Sequence, residues 1–194
     1  LKGKRVGIWK VGFGDYALMV DKEHNLEIEW IPFVQNINLF ISGVIDATLA
    51  MSYNEILQIR AAGYDISTAI SIADEGYDFP EDGLYVSEDY FRNNPQTVKA
   101  FADASRKGWE WAQEHPEETL EIVMEKTHSN NIATNRTHQK WMLEEVLKLN
   151  KDTEIGTATY TLKSDQVRRL SDLLVKHGMI SKPVTYETIT GQTL

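Results

Sequence analysis

The chain has 194 residues, of which 42% are apolar and 25% are charged, and its formal net charge is −9. Its Lys and Arg residues are scattered and outnumbered by Asp and Glu, which argues against a nucleic-acid-binding protein because such proteins carry a basic patch. Cysteine is absent, which excludes disulfides and thiolate chemistry within this sequence, and no run of about 18 apolar residues predicts a membrane-spanning helix.

Short strands alternate with helices over the first part of the chain. Strands are predicted at residues 6–9, 26–33, 45–51 and 66–73, and helices at residues 15–23, 36–41 and 53–62. The clearest strand pattern alternates apolar Leu26, Ile28 and Trp30 with two glutamates, which is the period of a half-buried strand. This order of elements predicts an α/β fold with a mostly parallel sheet.

The character of the chain changes near residue 80. A last short strand is predicted at residues 84–86, and the remainder is mainly helical. Pro95 and Pro116 are predicted to occupy the first position of two helices, Asn94 to cap the first of them, and Ser164 to cap a later one. We therefore divide the chain into an α/β part, residues 1–82, and a return strand with a helical part, residues 83–194.

The first candidate binding group lies where the first predicted strand ends, and it comprises Trp9, Gly12, Phe13 and Gly14. Glycines at a strand-to-helix turn let backbone N–H groups approach a ligand closely, and the two aromatic rings offer stacking faces to a flat molecule. The alternative is an ordinary turn with two core aromatic side chains. Asp15 is expected to cap the helix that follows.

The second candidate group follows the third predicted strand and comprises Ser52, Tyr53, Asn54 and Glu55. Their donors and acceptors suit the edge of a heterocycle, and an ionised Glu55 can accept a hydrogen bond from an exocyclic amine. The alternative is a helix start in which Ser52 is the cap and Glu55 the third helical residue.

The third candidate is Asp74, which precedes Glu75 after the fourth predicted strand. Paired carboxylates can transfer protons, and the alternative is a solvent-exposed turn before Gly76. The five histidines show no metal-binding spacing, and we interpret all of them as surface or capping residues. The spacing therefore predicts no metal site. We also expect no cofactor and no catalytic residue.

Several stretches of the chain, taken in order and spacing, resemble one family. Residues 43–55 read GVIDATLAMSYNE, residues 82–87 read DGLYVS and residues 94–101 read NPQTVKAF. Together with the opening LKGKRVG and the closing GMISKPV, they resemble the thiamine-pyrimidine-synthase-like family of ABC transporter solute-binding proteins. The resemblance covers essentially the whole chain. It implies a type II periplasmic-binding-protein fold, with residues 1–82 in the second lobe and residues 83–194 in the first.

The resemblance implies a function in transport. The expected protein is the substrate-binding component of an ABC importer, which captures a thiamine pyrimidine precursor, riboflavin or a related heterocycle and docks on a membrane permease. It implies a periplasmic or extracellular location, either as a free protein or as a lipoprotein anchored to the membrane. One alternative is the synthase branch of the family, whose cysteine-rich motif has no counterpart in this sequence. Another is the ligand-sensing effector domain of a regulator.

The chain begins almost directly with a predicted strand and carries no initiator Met. A full family member has an earlier segment that supplies most of the first lobe, so we expect such a segment to be missing from this sequence. A lobe without that segment exposes apolar surface, and we therefore expect a dimer through this surface.

Overall fold

The computed structural model describes residues 1–10, 14–33, 37–77, 82–151 and 160–191. Within them a parallel sheet is formed by β1 (Arg5–Trp9), β2 (Glu29–Phe33) and β3 (Ala47–Thr48), in the order β2-β1-β3. The register pairs Arg5 with Glu29 at one end of β1 and Trp9 with Phe33 at the other. The parallel sheet with its flanking helices confirms the predicted α/β class.

The core of the sheet region forms around β1, whose Val6 and Ile8 are buried. The helix that follows, α1 (Asp15–His24), buries Ala17 and Met19. It ends at Asn25, which adopts a left-handed conformation with φ of 50°, a conformation that asparagine tolerates better than most residues.

Two helices lie on either side of β3 along the chain, α2 (Asn38–Ile41) and α3 (Glu55–Ala61). Ile37, Ile45 and Ile59 are the buried apolar residues in and around this segment. Gly43 and Gly63 follow the two helices with φ of 72° and 90°, so each helix ends at a residue that has no Cβ to strain the left-handed conformation.

The middle of the chain is helical, as expected. It contains α4 (Glu88–Asn93), α5 (Pro95–Glu114), α6 (Pro116–Ser129) and α7 (Arg136–Leu149). Pro95 and Pro116 occupy the first positions of α5 and α6, as predicted. Asn94 does not cap α5 with its side chain, because its Nδ2 donates to the carbonyl of Tyr90 at the end of α4 instead.

The last described part contains α8 (Ser164–Lys176) and α9 (Tyr186–Thr190). Ser164 was predicted to cap α8, but it is the first helical residue. Lys163 holds the capping position, and its backbone N–H donates to Oε1 of Gln166 at 3.1 Å.

The chain divides into two compact units. The first contains the described residues of Leu1–Met51, Gln58–Glu81 and Thr161–Leu194, and the second those of Ser52–Leu57 and Asp82–Tyr160. The second unit is built around Ala112, Leu120 and Leu147, which come from α5, α6 and α7 and are all buried. The assignment of residues 1–82 and 83–194 to two lobes of a binding protein stays a prediction.

Two predicted strands are absent from the described structure. Residues 66–73 contain two short turns and no strand, and at the first turn both oxygens of Asp65 accept hydrogen bonds from Ser67. Residues 84–86 have no sheet partner among the described residues, and their side chains are exposed. The predicted strand at 45–51 is shorter than expected, since only Ala47–Thr48 pairs with β1.

Candidate functional site

The first predicted group borders a cleft at the carboxyl end of β1, to which Trp30 and Pro32 of β2 also contribute. The cleft has a volume of about 300 Å³, and its lining includes Trp9, Lys10, Gly14, Asp15, Leu18 and Trp30. Parallel strands end at the same edge of a sheet, where α/β proteins commonly bind ligands. We call this space the strand-end cleft. Gly12 and Phe13, which belong to the same predicted group, lie outside the described residues.

Two tryptophans give the strand-end cleft aromatic faces. Trp9 is the last residue of β1 and is half-buried. Trp30 lies on the neighbouring strand, and its Nε1–H donates to Oδ2 of Asp21 at 2.8 Å, which ties the ring to α1. Lys10 and Asp15 add one charge of each sign to the lining. This combination of flat apolar faces and a few polar groups suits a small ring compound.

Gly14 has a steric function at the start of α1. It is buried, and a Cβ on it would lie 2.5 Å from Cδ1 and 2.7 Å from Cγ1 of Ile8. Gly14 occupies the N-cap position of α1, so the prediction that Asp15 caps this helix is wrong. Asp15 instead lies in the first turn of α1, where its carboxylate is close to the positive end of the helix dipole.

The second predicted group lies at the beginning of α3. Residues 52–54 form a turn and Glu55 is the first helical residue, so Glu55 is not the third residue of a helix capped by Ser52. Nδ2 of Asn54 donates to Oε1 of Glu55 at 3.0 Å. Oδ1 of Asn54 lies 2.8 Å from Nε2 of His138 on α7. We call Glu55, Asn54 and His138 the polar triad.

His138 and its helix are held firmly within the second unit. The backbone N–H of His138 donates to Oδ1 of Asn135, the N-cap of α7, at 2.9 Å. Nε2 of Gln139 donates to Oγ1 of Thr134 at 3.0 Å. Both hydrogen bonds stabilise the first turn of α7, and they thereby fix the backbone position from which the His138 side chain extends.

Asp74 lies in an exposed turn of the first unit and does not line the strand-end cleft. Its backbone N–H donates to Oγ of Ser71 at 3.3 Å, and Gly76 follows with φ of 93°. The geometry is that of the solvent-exposed turn considered as the alternative.

A charged cluster in the first unit was not predicted. Oε2 of Glu23 accepts a hydrogen bond from the buried Tyr77 hydroxyl at 2.5 Å, and its Oε1 accepts one from Nζ of Lys176 at 2.7 Å. The hydrogen bonds from Lys176 and Tyr77 lower the pKa of Glu23 to about 2. Burial, followed by the bond to Glu23, raises the pKa of Tyr77 to about 12. The cluster joins α1 to α8 and to the segment before residue 78.

The structure therefore brings together some predicted residues and adds others. Trp9 and Gly14 share the strand-end cleft of the first unit, whereas Ser52 to Glu55 belong to the second unit. Lys10, Leu18 and Trp30 were not predicted, although Trp30 is the last residue of the alternating stretch 26–30. His138 was not predicted either, because the five histidines were all interpreted as surface or capping residues. His177 contradicts that interpretation too, since its side chain is only 7% exposed.

No group of three or more His, Asp or Glu residues is arranged to hold a metal ion within the described ranges. Over the same ranges, no helix has the length and apolar character that crossing a membrane requires.

Comparison with known proteins adds two findings. A family model described as NMT1/THI5 like matches residues 1–119. Riboflavin-binding protein RibY of Chloroflexus aurantiacus is 24% identical over a stretch that covers 64% of this chain and 37% of RibY. The chain thus matches much less than two thirds of that relative's length. Residues 1–119 include Trp9, the segment from Ser52 to Glu55, and Asp74, and they end before His138.

Proposed function

Since the chain belongs to the NMT1/THI5-like family, we propose that it is part of the substrate-binding component of an ABC importer. The family resemblance expected from the residues is confirmed by the match over residues 1–119. In this proposal, the complete protein captures a small heterocycle of the riboflavin or thiamine-pyrimidine type and catalyses no reaction. It acts in the periplasm or outside the cell and delivers its ligand to a membrane permease.

The observation that carries this proposal is the polar start of α3 within the range that matches the family. There Asn54 and Glu55 are joined by a hydrogen bond of 3.0 Å, so an amide and a carboxylate are held side by side. Such a pair offers donors and acceptors to the ring nitrogens and exocyclic groups of a pyrimidine or flavin. A relative whose name is riboflavin-binding protein supports the same class of ligand.

The strand-end cleft supports a ligand with a flat ring. Trp9 and Trp30 both line it, and stacking on an aromatic face contributes about 0.5–1.5 kcal/mol beyond area burial. Its volume of about 300 Å³ lies at the lower end of the range for small-molecule pockets, which is about 300–1,000 Å³. A pyrimidine-sized ring suits this space.

The test is a titration of the complete protein that contains this chain. Riboflavin is added while its fluorescence is followed, and the pyrimidine precursor of thiamine is titrated by calorimetry. We expect one of them to bind, and we expect Tyr53→Ala and Glu55→Ala each to raise the Kd by about tenfold or more. A lost hydrogen bond to a charged group corresponds to about 1.5–3 kcal/mol.

The matched control is Glu125→Ala, which removes an exposed carboxylate from α6. We expect this variant to bind like the wild type, and all three variants to unfold at nearly the wild-type temperature. An unchanged Kd in both Tyr53→Ala and Glu55→Ala would remove the start of α3 from the site. If the wild type binds neither riboflavin nor the pyrimidine precursor, the proposed ligand class is wrong.

A further inference from the structure

His138 lies on α7, 84 residues beyond Asn54, yet its Nε2 is 2.8 Å from Oδ1 of Asn54. Building on the proposed function, we propose that His138 is a positioning residue for the ligand site. It fixes the orientation of the Asn54 amide, and through that amide it fixes the Glu55 carboxylate. Nothing in the family match reaches His138, because the matched range ends at residue 119.

The donors and acceptors of the polar triad allow one consistent arrangement. A carboxylate only accepts hydrogen bonds, so the group of Asn54 that faces Oε1 of Glu55 must be the amide NH₂. The carbonyl oxygen of Asn54 then faces His138, and Nε2 of His138 must carry a proton and donate it. A reversed amide would place oxygen against the carboxylate and NH₂ against the Nε2–H, which is unfavourable at both contacts.

The helix that carries His138 is anchored on its other side. Nζ of Lys140 lies 2.6 Å from Oε1 of Glu117, and Nη2 of Arg136 lies 3.1 Å from Oε2 of the same residue on α6. Arg136 and Lys140 are four residues apart and share one helix face, whereas His138 is about 200° round the helix from Arg136. The ion pairs with α6 therefore hold α7 from one side while His138 reaches Asn54 from the other.

This arrangement gives His138 an indirect function in ligand binding. His138 does not need to touch the ligand, because its donated hydrogen bond acts on Asn54. Loss of the donor removes one restraint on the Asn54 amide, and the orientation of the amide towards the Glu55 carboxylate then becomes less defined. Ligand affinity falls in consequence, while the helices that form the second unit keep their own packing.

The test compares two variants of the complete protein in titrations with riboflavin and with the pyrimidine precursor of thiamine, one of which the wild type is expected to bind. His138→Phe keeps a ring but removes the donor, and we expect it to raise the Kd by about five- to tenfold. His138→Gln keeps an Nε2 donor at a similar reach, and we expect it to bind within about twofold of the wild type. Equal weakening in both variants, or wild-type binding by His138→Phe, contradicts the proposed role.

A second measurement needs no variant. In ¹⁵N-labelled wild-type protein we expect the NMR signals of the His138 ring to show a protonated Nε2, with an Nε2–H that is protected from exchange. A ring protonated only on Nδ1 contradicts the arrangement. Failure of the wild type to bind riboflavin and the pyrimidine precursor alike contradicts the proposed ligand class, and the positioning role falls with it. Unaltered binding by His138→Phe, in contrast, contradicts the role of His138 alone.

Discussion

Gly14, at the start of α1, lies directly against Ile8 of β1. An alanine there would place its Cβ 2.5 Å from Cδ1 and 2.7 Å from Cγ1 of Ile8. Ile8 is itself buried, so its side chain has little room to move away. We expect Gly14→Ala to lower the free energy of unfolding by about 1–3 kcal/mol, as overpacking does. Chemical denaturation followed by circular dichroism measures this change.

Gly108 supplies the matched control for Gly14. It lies in the interior of α5, and a Cβ there would meet no atom within 4 Å. Gly108→Ala should therefore raise the free energy of unfolding by about 0.5–1 kcal/mol, because alanine loses less conformational entropy in a helix. If Gly14→Ala were as stable as the wild type, the contact with Ile8 would not limit the residue at position 14.

Residue-scale features were predictable where they depend on neighbours in the chain. The adjacent polar residues from Ser52 to Glu55 indicate a polar helix start from sequence alone, and the hydrogen bond between Asn54 and Glu55 is local. His138 was not predictable, because its contact with Asn54 depends on how α7 packs within the second unit. No spacing rule connects residues so far apart.

At the scale of elements, the Glu23 cluster ties α1 to α8 and predicts a pH-dependent stability. The pKa of Glu23 is lowered to about 2, whereas an unfolded glutamate titrates near pH 4.3. A lowered pKa contributes stability that is fully present above the unfolded pKa. This contribution is lost as the pH falls from about 4.3 through about 2. We therefore expect the advantage of the wild type over Glu23→Gln to be constant above pH 5 and to shrink below it.

Thermal unfolding of both proteins between pH 2 and pH 7 measures this difference. Glu125→Gln serves as the control, because its exposed carboxylate lies on α6, a helix that contributes no residue to the cluster. Its difference from the wild type should vary little over the same range. A Glu23→Gln difference that stays constant down to pH 2 would show that the cluster does not stabilise the folded form.

The helices were easier to predict than the strands. Pro95 and Pro116 predict the starts of α5 and α6 directly, because proline suits the first helical position. The apolar residues around Ile70 suggested a strand, but Ile70 is 66% exposed and Asp65 holds the preceding backbone in a turn. Strand formation depends on a partner strand elsewhere in the chain, which a local pattern does not reveal.

At the scale of the whole molecule, family membership and ligand identity rest on different evidence. The family match covers residues 1–119 and thereby the sheet and the start of α3. The proposed ligand class rests on far fewer residues, above all the amide of Asn54 and the carboxylate of Glu55 at the start of α3. The fold class could therefore be predicted from the order of the elements, whereas the ligand class stays a proposal.

The exposed apolar segment at residues 84–91 leads to a prediction about self-association. Its exposed apolar side chains are Leu84, Tyr85, Val86, Tyr90 and Phe91, and Tyr85 is 82% exposed. Such a contiguous group loses unfavourable contact with water when a second copy covers it. We expect the sedimentation coefficient of this chain to rise with protein concentration, and we expect the double variant Leu84→Ser, Tyr85→Ser to remain a monomer.

Phe101→Ser is the matched control for this experiment. Phe101 lies on α5, outside the segment, and is 63% exposed, so its removal deletes exposed apolar area without altering residues 84–91. The control should associate like the wild type. Equal loss of association in the control and the double variant would indicate attraction between any exposed apolar groups. If the wild type stays a monomer at the highest concentration, the segment does not bind a second copy.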